Sequence, residues 1–358
     1  MSSVNDSISL FDAAGLEELR RELRLDPLAT RRLRNSLLRK FDRDEQALAP
    51  FPARNVLSLH SLVMAEQVES QEDGATKLLF RTSDGLPLET VLLRPQTGRA
   101  TVCISSQVGC AAACAFCATG HMGIARNLTV EQILDQVLQA GQRFALEGRR
   151  LRNVVFMGMG EPFHNEAAVV TAIKRLIDPT WFGLSPRKIC VSTVGLPEAI
   201  LRCAERFPTV RLALSLHSAR QEVREGLIPL AKRHPLDELR RTVAEVNRIT
   251  SSAVMIEYLL LAGVNDTADD IATLIDWLTG LDVHVNLIPY NPIAAAPHLK
   301  GSTPDIQQAC ARILKQAGFK TTVRYSLGND IAAACGQLVR REARPASAHG
   351  RSQFPEHI

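Results

Sequence analysis

The chain has 358 residues, of which 46% are hydrophobic and 22% charged. At about 150 residues per domain this allows two or three domains or one large domain with appendages, and it excludes a disordered or fibrous protein. The net charge of +4 at neutral pH permits a polyanionic partner without demanding one. No apolar run approaches the roughly 18 residues of a membrane span, and no cationic leader precedes an apolar stretch at the start, so a soluble, cytoplasmic protein with no membrane partner is expected.

In chain order, residues 15–40 read as one or two helices separated near Asp26-Pro27. Residues 20–43 carry Arg20, Arg21, Arg24, Arg31, Arg32, Arg34, Arg39, Lys40 and Arg43 against Glu22, Asp26 and Asp42. Such a patch is either a solvated helix face or an electrostatic footprint for phosphate backbones. β-rich runs follow at 99–105, 153–158, 188–192, 209–216, 253–261 and 283–289. Between them lie helical patterns such as Thr129 to Leu146, where Val130, Ile133, Leu134, Val137 and Leu138 share a face behind a Thr cap, and Asp266 to Thr279. Strands alternating with helices predict an α/β fold with a parallel sheet and helices outside, and its sites gather at the C-terminal ends of the strands. A seventh run, 319–326, is followed by a helix-like stretch holding Cys335. The expected organisation is a small, basic, helical N-terminal accessory region over 1–85, a core over 86–340 whose C-terminal extension carries Cys335, and a disordered tail over 341–358.

Eight cysteines lie at 103, 110, 114, 117, 190, 203, 310 and 335. Without an export signal a disulfide framework is not expected, so metal or redox chemistry takes precedence. Three cysteines crowd into Cys110-Ala-Ala-Ala-Cys114-Ala-Phe-Cys117. A zinc site needs a fourth ligand, which His121 could supply. A cubane iron–sulfur cluster has four irons, and three thiolates on one loop leave one iron open for a cofactor or substrate. The isolated Cys190, Cys203 and Cys310 read as small buried hydrophobes.

CxxxCxxC followed by Gly158-Met159-Gly160-Glu161-Pro162 resembles the radical S-adenosylmethionine (SAM) enzymes, and more closely the RlmN/Cfr family of RNA adenine methyltransferases. The resemblance spans about residues 85 to 340 and rests on separate blocks. Cys103-Ile104-Ser105-Ser106-Gln107 precedes the triplet and Arg126-Asn127-Leu128-Thr129 follows it. Farther on stand Val191-Ser192-Thr193, Ser215-Leu216-His217, Gly263-Val264-Asn265-Asp266, Asn286 to Pro292 and Ala334-Cys335-Gly336-Gln337-Leu338. It implies a partial (β/α)6 radical SAM barrel and one [4Fe–4S] cluster held by Cys110, Cys114 and Cys117, whose open iron binds SAM. The SAM contacts it implies are Gly160, Glu161, Ser192, Ser215, Leu216, His217 and Asn291. It further implies that Cys335 accepts a methyl group from SAM, that Glu89 removes a ring proton, and that Cys103 attacks Cys335 to form a transient disulfide. The product would be adenine methylated at carbon 2 or carbon 8 in 23S rRNA, with tRNA as a second candidate, and electrons would come from a donor such as flavodoxin or ferredoxin. By its residue type alone, Arg126 is either an RNA or cofactor-site contact or an ordinary surface arginine. A radical SAM enzyme of the same fold acting on another RNA, a peptide or a metabolite is the alternative reading, and a non-enzymatic metal- or RNA-binding module is a third.

Overall fold

The computed structural model describes residues 7–52, 54–95 and 98–339. The expected tail over 341–358 lies outside them. Ten strands form one sheet: β1 (Leu62–Glu69), β2 (Ala75–Thr82), β3 (Pro87–Leu93), β4 (Ala100–Cys103), β5 (Leu151–Phe156), β6 (Ile189–Thr193), β7 (Arg211–Ser215), β8 (Val254–Leu260), β9 (Val283–Pro289) and β10 (Lys320–Val323). They lie side by side in chain order. From β1 to β4 neighbours are antiparallel, and from β4 to β10 they are parallel.

Among the described residues three α-helices precede the sheet, and eight lie in the crossovers that its parallel steps need. They are α1 (Ala13–Glu22), α2 (Ala29–Arg34), α3 (Asp44–Leu48), α4 (Ala118–His121), α5 (Val130–Leu146), α6 (Glu166–Ile177), α7 (Pro197–Arg206), α8 (Gln221–Leu227), α9 (Leu236–Thr250), α10 (Ala268–Leu278) and α11 (Pro304–Gln316). Helix α5 begins where Thr129 and Gln132 satisfy each other's backbone N–H groups, both at 3.2 Å, and its Ile133, Leu134, Val137 and Leu138 are fully buried. Helix α10 starts on the same device, with Thr267 and Asp270. The central strands are covered on both faces, so β8 reads as a nearly unbroken apolar run interrupted by Glu257.

β10 and β1 are the two edges of the sheet and do not pair, so the partial barrel stays open. The six units expected from the apolar runs are present, and the seventh run adds edge strand β10. Two features differ from the sequence reading. The N-terminal region is helical from Ala13 to Leu48, but 62–82 forms β1 and β2 of the main sheet, and a boundary after residue 85 falls in the turn before β3. Alternation in β1, where every second residue is exposed, marks it as an edge strand. The stretch expected to be helical around Cys335 is instead a chain of turns. Gly328, Ala332 and Gly336 have φ of 77°, 51° and 86°, a left-handed conformation that a right-handed helix cannot hold.

Candidate active site

At the C-terminal ends of β4–β10 the chain encloses a cavity of about 990 Å³, measured out to its open mouth. Its floor begins where two motif blocks cross. Gly158 N–H donates to the Ile104 carbonyl at 3.0 Å, Ser106 N–H to the Met159 carbonyl at 2.9 Å, and Glu161 N–H to the Gln107 side chain at 2.9 Å. The Ser105 hydroxyl donates to the Glu89 carbonyl at 2.6 Å and accepts from Met159 N–H at 2.9 Å. Glycine is required at this crossing. A Cβ on Gly158 would stand 2.7 Å from the Ile104 carbonyl, and one on Gly160, whose φ is 101°, 2.6 Å from the Gln107 Cβ. Cys103-to-Gln107 and Gly158-to-Glu161 are thus two halves of one backbone junction.

Cys110, Cys114 and Cys117 line one wall of the cavity. Burial pushes Cys110 up to about 12 and raises Cys114 and Cys117 as well. Buried thiols of this kind gain from a cationic metal core, which takes them as thiolates. Among the described residues no three ligating side chains are gathered around a point where a single ion would sit. A cubane needs one sulfur per iron and spreads its ligands more widely. His121 Nε2 donates to the Ala115 carbonyl at 2.9 Å, which leaves only Nδ1 as a possible metal ligand. Three buried thiols on one short loop are a donor set that fits an iron–sulfur cluster.

Beside the triplet stands Glu161, 3% exposed. Its carboxylate accepts from Phe163 N–H at 3.0 Å and Val194 N–H at 2.9 Å, yet burial outweighs both bonds and raises its pKa to about 7. His217 has φ of 58°, and its Nδ1 accepts from Leu259 N–H at 3.0 Å. Burial, helped by the charge of Arg224, lowers its pKa to about 3, so the ring is neutral and carries its proton on Nε2. Phe116 meets the ring edge-on at 4.7 Å between centroids. Ser192 and Ser215 hydroxyls lie 3.4 Å apart on neighbouring strands.

Cys335 also lines the cavity, on a loop tied down from several sides. The Ala118 N–H donates to the Gly336 carbonyl at 2.7 Å, the Thr119 hydroxyl to the Leu338 carbonyl at 2.6 Å, and the Asn291 amide to the Cys335 carbonyl at 3.1 Å. Asn291 is therefore a support of the Cys335 loop and not part of the cavity wall, and Leu216 is likewise fully buried in the core. Glu89, on β3, sits behind the loop. Its carboxylate pairs with Lys77 Nζ at 3.1 Å and accepts from Val339 N–H at 2.9 Å. Cys103 is buried at the end of β4, off the cavity wall. Burial pushes its thiol up to about 12; Cys335 adds to the rise and the Arg324 guanidinium opposes it. Arg324, whose N–H donates to the Leu287 carbonyl at 2.8 Å, acts in charge on Cys335, Glu257, Cys103 and Cys190 together. The two distant cysteines thus share one half-buried cation.

Sequence reasoning missed Arg324 and Glu257. Glu257 is 2% exposed and lines the cavity; Oε2 accepts from the Asn286 amide at 2.7 Å while Oε1 has no partner among the described residues. A carboxylate interrupting the apolar run of β8 was the one available signal. Arg126 is engaged with both oxygens of Asp84 at 2.7 Å, joining the segment after the triplet to the β2–β3 turn. Cys190, Cys203 and Cys310 are buried as expected.

Residues 104–278 match the Radical SAM superfamily. Over its whole length the chain is 54% identical to the probable RNA methyltransferase RB6963 of Rhodopirellula baltica, covering 95% of that protein. It is 45% identical to the probable dual-specificity RNA methyltransferase RlmN of Thermus thermophilus, over 81% of this chain and 80% of that one. Identity to the ribosomal RNA large subunit methyltransferase Cfr of Staphylococcus aureus is 41%, over 78% and 80% of the two chains. The chain belongs to the RlmN/Cfr family of radical SAM methyltransferases. The fold agrees: a radical SAM methyltransferase from Sphaerobacter thermophilus superposes with a TM-score of 0.86 at 38% identity, covering 95% of this chain and all of that one. The cofactors of the RlmN/Cfr family are a [4Fe–4S] cluster and SAM, and the three thiols beside a buried carboxylate suit both.

Proposed function

We propose that this family member is a radical SAM-dependent RNA methyltransferase adding a methyl group to a ring carbon, carbon 2 or carbon 8, of an adenine in 23S rRNA, with tRNA as a second substrate pool. It works in the cytoplasm with an electron donor such as flavodoxin or ferredoxin. The observation that supports this reading best is the grouping of Cys103 and Cys335 about Arg324.

A ring carbon bearing hydrogen is a poor nucleophile, and the bound cluster and SAM supply a methyl group and a carbon radical for it. Cys335 contributes the thiolate that accepts the methyl; burial raises its thiol above the usual range, and the Arg324 guanidinium opposes that rise. Its S-methyl carbon then loses a hydrogen atom and bonds to the adenine carbon. The adduct passes one electron to an oxidised carrier of the flavodoxin or ferredoxin class and its ring proton to Glu89, which must first part from Val339 N–H. Cys103 as thiolate attacks the Cys335 sulfur: the carbon–sulfur bond breaks, a disulfide forms, and the freed carbon takes up a proton to become the methyl group. An external thiol reductant restores both cysteines. Gly160, Glu161, Ser192, Ser215 and His217 hold SAM, Glu161 by its carboxylate against the ammonium group and His217 by its Nε2–H. Leu216 and Asn291 act from behind, one filling the core beneath His217 and the other fixing the Cys335 loop.

On the N-terminal helices and the turn after them, Arg21, Arg24, Arg31, Arg32, Arg39, Lys40 and Arg43 are exposed, a surface suited to an RNA backbone. Two variants separate the cysteine roles. Cys335→Ala should abolish methyl loading of the protein by SAM. Cys103→Ala should load normally and accumulate a covalent RNA–protein adduct, read on a denaturing gel and by intact mass. Free methylated adenine released by Cys103→Ala at the wild-type rate would contradict the assignment.

A further inference from the structure

Arg224, on α8, is a fully buried cation with no carboxylate partner among the described residues. Its Nη2 donates to the Val194 carbonyl, but Nε and Nη1 are buried and make no hydrogen bond among the described residues. Burial lowers its pKa to about 10, and the one group whose charge opposes that fall is Cys114, so the side chain stays cationic at neutral pH. The position is close to the triplet: Ala115 N–H, between two of the thiols, donates to the Leu227 carbonyl at the end of α8 at 2.9 Å. On its other side the guanidinium acts on His217. Arg324 differs, because Glu257 and three thiols surround it.

An unpaired buried charge is strongly destabilising, and a buried guanidinium with unused donors calls for an anion beside it. A cubane of core charge two plus held by three thiolates is a monoanion, and one-electron reduction makes it a dianion. Hydrogen bonds to its sulfurs and nearby charge set its reduction potential. We infer that Arg224 is the buried counter-cation of the iron–sulfur cluster, and that its unused N–H groups are donors for the cluster's sulfurs from behind Cys114. The guanidinium favours the more negative, reduced state and so eases electron entry. A second consequence concerns the empty protein: without the cluster, Arg224 is a liability to the fold.

Arg224→Met and Arg224→Lys, reconstituted anaerobically with iron and sulfide, test this without any RNA. In an EPR-monitored redox titration the Met variant should shift the one-electron equilibrium at least tenfold toward the oxidised cluster, a fall of about 59 mV in midpoint. The Lys variant, which keeps the charge, should stay closer to wild type. Thermal melting supplies a second readout. Apo Arg224→Met should melt at or above the apo wild type, whereas the reconstituted Met variant should melt below reconstituted wild type and release iron faster. An unchanged midpoint, equal shifts in the Met and Lys variants, or an apo Met variant that is as destabilised as its reconstituted form would each overturn the inference.

Discussion

Glu161 carries the sharpest consequence at the scale of single residues. Its pKa is raised to about 7 by burial, and its proposed partner is an ammonium group, which needs the charged carboxylate. SAM binding should therefore weaken as pH falls below 7, by up to about tenfold per pH unit once most of the carboxyl is protonated. Glu161→Gln should bind SAM more weakly at pH 8 and show no such pH dependence; anaerobic equilibrium dialysis between pH 5.5 and 8.5 would read both. Most of this site was legible because its chemistry is written locally. The triplet, Gly160-Glu161 and Ser215-to-His217 are each one short loop after a strand. Arg224, Glu257 and Arg324 were not legible, since each is a lone charged residue whose meaning depends on which neighbours folding brings to it. Asn291 and Leu216 stand in recognisable blocks, but only the backbone's path shows that they support the site from behind.

Between elements, the junction of N-terminal region and core is held by His60. Its Nδ1 lies 2.7 Å from Asp135 on α5 and its Nε2 2.8 Å from Asp44 on α3. Asp135 is fully buried and also accepts from the N–H groups of Ser61 and Leu62, each at 2.8 Å, which fixes the start of β1. Burial alone would lower the His60 pKa, but the two carboxylates outweigh it and raise the value to about 10. A pKa raised on folding means that the bridge stabilises fully below the unfolded value of about 6.5 and is lost as pH rises toward 10. His60→Asn should cost about 2 kcal/mol at pH 6 and progressively less at higher pH, the two melting curves converging near pH 10. A constant difference across that range would assign the loss to packing. The backbone junction is equally exacting. Gly160→Ala would force a Cβ onto Gln107 at a φ that alanine resists, so it should lower the melting temperature and the SAM affinity together. Helix α5 was legible because cap and apolar stripe agree. The Cys335 loop misled because its run of alanines has helical propensity, while Gly328, Ala332 and Gly336 take left-handed conformations set by tertiary bonds.

As a whole molecule, the chain builds its site from both ends. β1–β3 extend the sheet beside β4, and from them Lys77 reaches the Ala332 carbonyl at 3.3 Å while Glu89 holds Val339. The N-terminal helices pack on the crossover helices: Phe11 stacks on Trp181 at 6.5 Å, and Phe41 lies over Gly141 of α5, where a Cβ would come within 2.2 Å of its ring. Removing residues 1–85 would expose that face and strip the Cys335 loop of Lys77. The truncated protein should be insoluble or melt far below the full chain, whereas a separable appendage would leave a folded, cluster-binding core; expression with thermal melting decides between them. The α/β class and the order of strands were legible from apolar periodicity, because parallel strands buried on both faces are continuous apolar runs. That 62–82 joins the same sheet was not, since pairing partners of antiparallel strands are set by register and not by composition.

Methylation of an adenine ring carbon in RNA is the reaction proposed for this site. The direct measurement combines the anaerobically reconstituted protein with SAM, reductant and separate pools of ribosomal and transfer RNA, followed by mass spectrometry of the digested nucleosides. The expected product matches 2-methyladenosine or 8-methyladenosine, present with wild type and absent with Cys335→Ala. Cleavage of SAM to deoxyadenosine with no methylated adenosine in either pool would contradict it and direct the same radical chemistry to another substrate.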